Sequence, residues 1–323
     1  MGFDLTNLTN YVDENKLDLV RKAIMDASAT EWADVMAFNK FQTALPIYAE
    51  DVEFRIGDMC DITPTGDGVI TQVDLAVEKL ALDKKYCIDE LNSKFLSAKQ
   101  KQGFYGQDLM IEGVIAEELM SKIQREVSKM FVIGDTNLAS GNLSLIDGIV
   151  TVAQNLGYGS NGVIDGNVDG VTSVDSSNII DVVRKALASF PEVVQAMTDE
   201  DKVSFHMSPS YFTMLKDAII DSNLYHYNPE VVTIAGYRTM KFPGYENITI
   251  VADYALISTD KMFGSYEWNK KFNTDAVEEI MLLEDVTNEG DKKLGNVVWA
   301  NRFRLGASIV FPQHFVLFEL AAS

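Results

Sequence analysis

The strongest periodic pattern in the chain lies in QDLMIEGVIAEELMSKIQREVSKMFVIGD, residues 107–135. Apolar residues recur at every fourth position, which predicts an α-helix with one buried face. Acidic side chains come early and basic ones late, an order that complements the helix dipole. At a rise of about 1.5 Å per residue the helix is about 40 Å long, and we expect Gly134 to end it as a C-terminal glycine. Its apolar face comprises Ile111, Ile115, Leu119, Ile123, Val127 and Phe131.

The residues before this helix predict a long two-stranded excursion that spans residues 46–102. Val73, Leu75 and Val77 alternate with their neighbours as in a half-exposed strand. With a Gly/Pro turn cluster as the tip, residue 60 should face roughly residue 72. Because an isolated hairpin is only marginally stable in water, we expect this one to lie on a neighbouring subunit. The residues expected in that contact are Pro64, Thr65, Gly66, Asp67, Gly68, Val73, Leu75 and Val77.

The first part of the chain, residues 1–45, predicts an arm with helical pieces. Leu17, Val20, Ile24 and Ala27 recur at helical spacing. The stretch contains no pattern for a compact core of its own. We therefore expect the arm to pack on something else.

The sequence after the long helix predicts loops, then helices, then strands. Residues 141–175 are rich in Gly, Asn, Asp and Ser and are expected to be loops. Two capped helices should begin after Ser176–Ser177 and after Ser208–Pro209. Beyond residue 230 the pattern favours strands, with alternate apolar positions from Val297 to Phe311 and a terminal strand from Phe315 to Leu320.

Composition restricts the class of protein. The chain has 323 residues, is 47% hydrophobic and carries a formal net charge of -21, so that a sizeable core is expected and global disorder is excluded. A broad nucleic-acid-binding face is not expected, because neutralising phosphates requires clustered Lys and Arg. No apolar run is long enough to span a membrane. Cys60 and Cys87 lie far apart in the predicted hairpin and should be free thiols.

Three short motifs match functional patterns but lack the context that those patterns need. Residues 157–162 fit GxGxxG without a strand before them or a helix starting within them, so a flexible loop is favoured over a nucleotide site. Asp165, Asn167 and Asp169 fit the opening of a calcium loop, but the twelfth position is a serine; a solvated turn is favoured and calcium stays an alternative. The three histidines, His206, His226 and His314, lack paired metal-ligand spacing, which favours structural or surface roles.

The order of elements resembles the Hong Kong 97 fold of tailed-phage major capsid proteins. The resemblance rests on the helix end at Gly134–Asp135 followed by Ile146–Asp147–Gly148–Ile149, on the Ser208–Pro209–Ser210 helix start, and on Phe242–Pro243–Gly244 before a strand. It covers nearly the whole chain and implies an α+β fold. The implied segments are an N-terminal arm (1–45), an E-loop formed by an extended β-hairpin (46–102), the spine helix of a peripheral domain (103–140), an axial domain (141–275), and peripheral-domain strands with the C-terminus (276–323).

The resemblance also implies a structural function without catalysis, cofactor or metal. Copies would self-assemble into hexamers and pentamers of an icosahedral shell around double-stranded DNA, in the cytoplasm of the host bacterium and finally in the virion. The implied partners are other copies, a portal, a separate scaffolding protein, decoration proteins and weakly contacted DNA, but no membrane. Many relatives begin with a fused scaffolding segment that a protease removes; we expect that this chain carries none, and removal of one upstream of Met1 is the alternative. Some relatives crosslink an E-loop lysine, whereas Lys79, Lys84 and Lys85 are expected to form salt bridges.

Two other functions remain alternatives at this point. An encapsulin-like nanocompartment shell shares the fold but encloses an enzyme. A nucleotide-dependent soluble enzyme would depend on the glycine loop at residues 157–162 and would elute as a small oligomer.

Overall fold

A computed structural model of the chain describes residues 28–37, 43–48, 70–87, 111–222, 231–234, 236–275, 282–285 and 296–321. Within these residues the α-helices are α1 (Ile111–Ile133), α2 (Ile149–Leu156), α3 (Ile179–Ala188), α4 (Glu192–Gln195) and α5 (Pro209–Asp221). The strands are β1 (Asp34–Ala37), β2 (Thr43–Tyr48), β3 (Ile70–Leu75), β4 (Glu78–Cys87), β5 (Ile164–Asp165), β6 (Ser204–Met207), β7 (Val232–Ile234), β8 (Tyr237–Phe242), β9 (Tyr245–Ala252), β10 (Met262–Ser265), β11 (Lys270–Thr274), β12 (Leu282–Asp285), β13 (Asn296–Ile309) and β14 (Val316–Phe318).

Helix α1 is the long helix predicted from the apolar periodicity. Its 23 residues correspond to a length of about 35 Å. Of the predicted apolar face, Leu119, Ile123, Val127 and Phe131 are all buried in the second half of the helix. The side chains of the other two predicted members of that face, Ile111 and Ile115, lie outside the described residues, as do residues 107–110.

The glycine that ends α1 acts differently from the prediction. Gly134 does not adopt the positive φ of a C-terminal glycine. It is needed instead for close packing, because a Cβ there would lie 2.5 Å from the carbonyl oxygen of Ile146 and 2.6 Å from that of Met130. The backbone N–H of Gly148 donates to the carbonyl of Gly134 at 2.9 Å, so the two glycines join the end of α1 to the start of α2.

A five-stranded sheet packs against α1 and forms the first core. Its strands run in the order β1, β11, β13 and β12, and β4 pairs with β13 beside them. Phe131 of α1 packs against Phe272 of β11, with ring centroids 5.0 Å apart. The alternation predicted for β13 is confirmed over its second half, where Phe303, Leu305, Ala307 and Ile309 are buried.

A seven-stranded mixed sheet, in the order β5, β14, β10, β6, β9, β8 and β7, forms the second core. Helices α3 and α5 contribute buried apolar residues to this core, together with β6 and β9. The terminal strand β14 joins this sheet, whereas β11 joins the five-stranded one. Strands from before and after residue 275, the predicted domain boundary, therefore occur together in both sheets. Hydrogen bonds between strands that are far apart in the sequence determine which sheet a strand joins.

Two predictions about the helices after residue 141 need correction. Helix α2 lies inside the stretch predicted to be loops, where it buries Ile149, Val150 and Ala153. Ser177 does not cap α3; its N–H and hydroxyl donate to the carboxylate of Asp175, which organises the turn before the helix. The second cap is confirmed, since the Ser208 hydroxyl accepts from the N–H of Tyr211 at 3.3 Å.

Candidate functional site

Strands β2 and β3, which lie in and just before the stretch predicted as a hairpin, form an antiparallel pair with a register different from the expected one. Gln72 faces Pro46, and the pairing extends from Thr43–Leu75 to Tyr48–Ile70. The prediction that residue 60 faces residue 72 is therefore wrong. Residues 49–69, with the predicted tip from Pro64 to Gly68 and Cys60, lie outside the described residues.

The three alternating residues of the hairpin differ in burial. Val73 and Val77 are partly exposed, whereas Leu75 is fully buried within its own chain. The reason is a close crossing, because a Cβ on Gly306 of β13 would lie 1.9 Å from the carbonyl oxygen of Ala76. This packing removes Leu75 from the residues that a neighbouring subunit could contact.

The second half of the predicted E-loop belongs to the chain's own sheet. Strand β4 pairs with β13 from Glu78–Leu305 to Cys87–Asn296. The guanidinium of Arg302 on β13 donates to both carboxylate oxygens of Asp83 on β4, at 2.6 and 3.1 Å. Strand β4 thus joins the base of the predicted excursion to the first core. Lys79 and Lys84, both on β4, are exposed.

Four buried polar side chains meet between the two sheets and form a cluster that the sequence did not reveal. The Nδ1 of His206 lies 3.0 Å from Asp253 Oδ2, and its Nε2 lies 3.0 Å from Ser204 Oγ. The Nζ of Lys270 lies 2.5 Å from the same Ser204 oxygen. We call Ser204, His206, Asp253 and Lys270 the Ser204 cluster; each is at most 4% exposed.

Burial controls the charges in the Ser204 cluster. It lowers the pKa of His206 to about 4, although the hydrogen bond to Asp253 opposes the shift and the charge of Lys270 adds to it. It also lowers the pKa of Lys270 to about 7, against the attraction of Glu267 and Asp253. At neutral pH His206 is uncharged, so Lys270 donates to Ser204, Ser204 to His206, and His206 to Asp253.

The order of serine, histidine and aspartate in this cluster is that of a nucleophilic triad, but its setting is not. A triad serine must be exposed to the substrate that it attacks. Ser204 is fully buried on a central strand. The cluster therefore satisfies polar groups between β6, β11 and the residue after β9, and thereby links the two sheets.

The segment 28–37 crosses the same junction. Ala29 packs in the first core, and its N–H contacts Ser128 Oγ of α1 at 3.4 Å. Trp32 meets the ring of His206 edge-on, with ring centroids 6.2 Å apart. Glu31 forms an ion pair with Lys202 at 3.4 Å, and strand β1 pairs in parallel with β11. This segment thus contacts both cores. The sequence predicted only that the arm packs on something else, and for residues 28–37 the partner is the chain's own fold.

The glycine loop at residues 157–162 has the wrong surroundings for a dinucleotide. It follows the C-terminus of α2 and leads into β5, and Gly157 has a positive φ of 70°. A dinucleotide fingerprint would need a strand before the loop and the N-terminus of a helix after it.

The three oxygen ligands of the possible calcium loop are engaged in other contacts. The carbonyl of the Asn167 side chain accepts from Val171 N–H, and its amide donates to the backbone carbonyls of Val171 and Glu319. Asp169 forms an ion pair with Lys185. Asp165 accepts from the N–H of Asn167 at 2.8 Å. Asn167 thus links this turn to the C-terminal residues through its hydrogen bond to Glu319. The sequence around Asn167, which predicts a loop, does not indicate this contact.

Among the described residues, His, Cys, Asp and Glu form no group of three or more that could hold a metal ion. In the same part of the chain, no helix combines the length and apolar composition of a membrane span.

The fold is the α+β fold of tailed-phage major capsid proteins, the Hong Kong 97 type. Comparison with solved structures shows this, because the chain superposes over most of its length on chains from a GTA capsid, a phage P4 procapsid and Gordonia phage Cozz. The long helix α1, the long strand β13 and the two sheets are therefore elements of this fold. The sequence alone matches no protein-family model and no curated protein.

Three of these solved structures illustrate the likeness. The capsid of a native GTA particle has a TM-score of 0.55 and 12% identity, covering 92% of this chain and 91% of that one. The procapsid of satellite phage P4, which includes a size determination protein, has a TM-score of 0.56 and 9% identity, covering 95% and 99%. Gordonia phage Cozz has a TM-score of 0.54 and 11% identity, covering 92% and 87%.

Proposed function

We propose that this chain is a major capsid protein whose copies form the hexamers and pentamers of an icosahedral shell around double-stranded DNA. The observation that supports the proposal is the fold, shared over more than nine-tenths of the chain with a GTA capsid and a P4 procapsid. Catalysis has no support in the Ser204 cluster, whose hydroxyl is fully buried. The function then depends on contacts between copies.

The hairpin is the first of these proposed contacts. Strand β4 anchors its base to β13, while Val73 and Val77 keep part of their apolar surface exposed. An exposed strand edge of this kind is normally covered. In the proposal a neighbouring copy covers it, and the tip from Pro64 to Gly68 reaches that copy. The spine helix α1, buried along one face, supplies the rigid base.

The DNA inside such a shell would be contacted weakly and without sequence preference. The formal net charge of -21 repels phosphate, because 48 Asp and Glu outnumber the 27 Lys and Arg that could neutralise it. Weak contact suits a container from which DNA must leave. A portal, a separate scaffolding protein and decoration proteins complete the proposed set of partners, with assembly in the bacterial cytoplasm and the mature protein in the virion capsid.

Electron microscopy of the purified protein tests the proposal. The chain is produced in bacteria with and without a candidate scaffolding protein, then fractionated by gel filtration and imaged by negative stain. Capsomers or megadalton shells are the expected result, and particles assembled during infection should contain nuclease-protected DNA. A monomer or dimer at every concentration, in both preparations, would contradict the proposal. Shells that enclose an enzyme instead of DNA would indicate a nanocompartment.

A further inference from the structure

The seven-stranded sheet has two edges, and each carries exposed apolar side chains. Among the described residues, β7 pairs only with β8 at one edge, and β5 pairs only with β14 at the other. On β7, Val232 is 47% exposed and Ile234 is 37% exposed. Beside β5, Tyr158 is 48% exposed and Val168 is 64% exposed. Exposed apolar residues at a strand edge favour pairing with another chain.

The two edges also differ in charge. Arg238 on β8 faces Thr233 of β7, and its exposed guanidinium lies 5.4 Å from the centroid of the Phe212 ring. No carboxylate among the described residues pairs with it. Asp165 on β5 is exposed, and within the described part of the chain its carboxylate accepts only from the N–H of Asn167. Within the described residues, one edge therefore has a positive charge without an ion-pair partner, and the other has a negative charge without one.

The remaining charges near β5 are already neutralised. Lys185 pairs with Asp169, and Lys261 pairs with Glu319 at 3.1 Å. Glu319 also accepts from the hydroxyl of Tyr158. Among the described residues at this edge, the carboxylate of Asp165 thus has no ion-pair partner, and it lies next to the apolar residues described above.

We propose that the β7 edge of one copy docks against the β5 edge of the next copy, with Arg238 facing Asp165. The inference rests on the proposed function, because it names the surfaces that join copies in a capsomer. Different surfaces on the two partners make a heterologous contact, and such contacts generate rings when the rotation closes. The two edges lie at opposite sides of one sheet, so they can serve as the two different surfaces of such a contact.

Charge reversal tests the pairing. Arg238→Glu and Asp165→Arg each place like charges together and should raise the concentration needed for capsomer assembly by about tenfold or more. The double variant restores an opposite pair and should recover most of the assembly. Circular dichroism should show every variant folded, because both side chains are exposed. Arg184→Glu is the matched control, since this exposed arginine lies on α3, pairs with Asp181, and should leave assembly unchanged.

Crosslinking tests the direction of the contact. A chain carrying both Val232→Cys and Val168→Cys, treated as assembled capsomers with a bismaleimide, should give a ladder of multimers on a denaturing gel. Each single variant should give no more crosslinking than the parent chain with its Cys60 and Cys87. Dimers from Val232→Cys alone would overturn the head-to-tail arrangement, as would the lack of a ladder from the double variant.

The outcomes separate this inference from the proposed function. If the parent chain assembles while both charge reversals also assemble normally, the edge contact is wrong and the shell function stands. If each reversal weakens assembly but the double variant does not recover, Arg238 and Asp165 do not face each other. If the parent chain forms neither capsomers nor shells, the proposed function itself fails.

Discussion

The Nζ of Lys270 lies 2.5 Å from the Oγ of Ser204, and neither side chain is exposed to solvent. Lys270 belongs to the five-stranded sheet and Ser204 to the seven-stranded sheet, so this contact joins the two cores. Hydrogen bonding continues from Ser204 to His206 and from His206 to Asp253. Buried hydrogen bonds connected in this way favour one arrangement of their elements, because another arrangement would leave more polar groups unpaired.

His206→Gln should make the stability of the protein less sensitive to acid. Burial lowers the pKa of His206 from 6.5 to about 4, so the unfolded chain binds a proton in this window and the folded chain does not. The free energy of unfolding therefore falls as the pH drops from about 6.5 towards about 4. Urea denaturation at about pH 7 and about pH 5 measures the change, and the variant should lose less stability between them. An equal loss in both proteins would show that protonation of His206 is not coupled to folding.

Gly148→Ala should destabilise the protein by about 1–3 kcal/mol through overpacking. The new Cβ would lie 2.6 Å from the backbone nitrogen of Gly134 and 2.7 Å from the carbonyl oxygen of Met130, so the backbone must shift. The midpoint of thermal unfolding measures the effect.

Gly170→Ala is the control for that substitution. Gly170 has a φ of 64° and nothing within 4 Å of a Cβ, so alanine there meets backbone strain of about 1–2 kcal/mol without a collision. If Gly148→Ala were as stable as the natural chain, the junction between α1 and α2 would be looser than the distances indicate.

Leu119→Ala should lower the free energy of unfolding by about 2–5 kcal/mol, as for other buried leucines. Leu119 is buried in the first core together with Ile123 and Leu80. Leu156→Ala is the matched control, because Leu156 is 44% exposed at the end of α2 and should cost far less. Equal effects of the two substitutions, measured by urea denaturation, would argue against the packing of α1.

The parts of the fold that the sequence predicted are those with a clear local period. Over the halves whose side chains the structure describes, helix α1 and strand β13 bury the residues that their periods of about four and two select. Helix α2 was not predicted, because its sequence IVTVAQNL is short, rich in β-branched residues and flanked by glycines, features that do not favour a helix. The end of α1 was located correctly, although the reason for the glycine there was a close approach of two backbones and not a positive φ.

The parts that could not be predicted depend on contacts between residues far apart in the chain. Strand β4 pairs with β13, more than two hundred residues later, so the second half of the predicted hairpin joined the main sheet. The Ser204 cluster combines β6, β11 and the residue after β9, and no spacing within the sequence announces it. His206 looked isolated because its partner Asp253 comes from another strand end.

Shortening the hairpin tip should weaken assembly and leave the monomer folded. The change deletes residues 63–68 and closes the chain with Asn-Gly, which favours a tight hairpin turn. Tips tolerate such changes, and the strand pair at the base, from Thr43–Leu75 to Tyr48–Ile70, keeps its sequence.

Sedimentation velocity of the deletion variant beside the natural chain measures the effect. A folded variant with fewer shells would support the contact between the tip and a neighbouring copy. Normal shells would show that the tip makes no contact needed for assembly. An unfolded monomer would show that the hairpin belongs to the chain's own core, as Leu75 already does, and the E-loop assignment would then have to be abandoned.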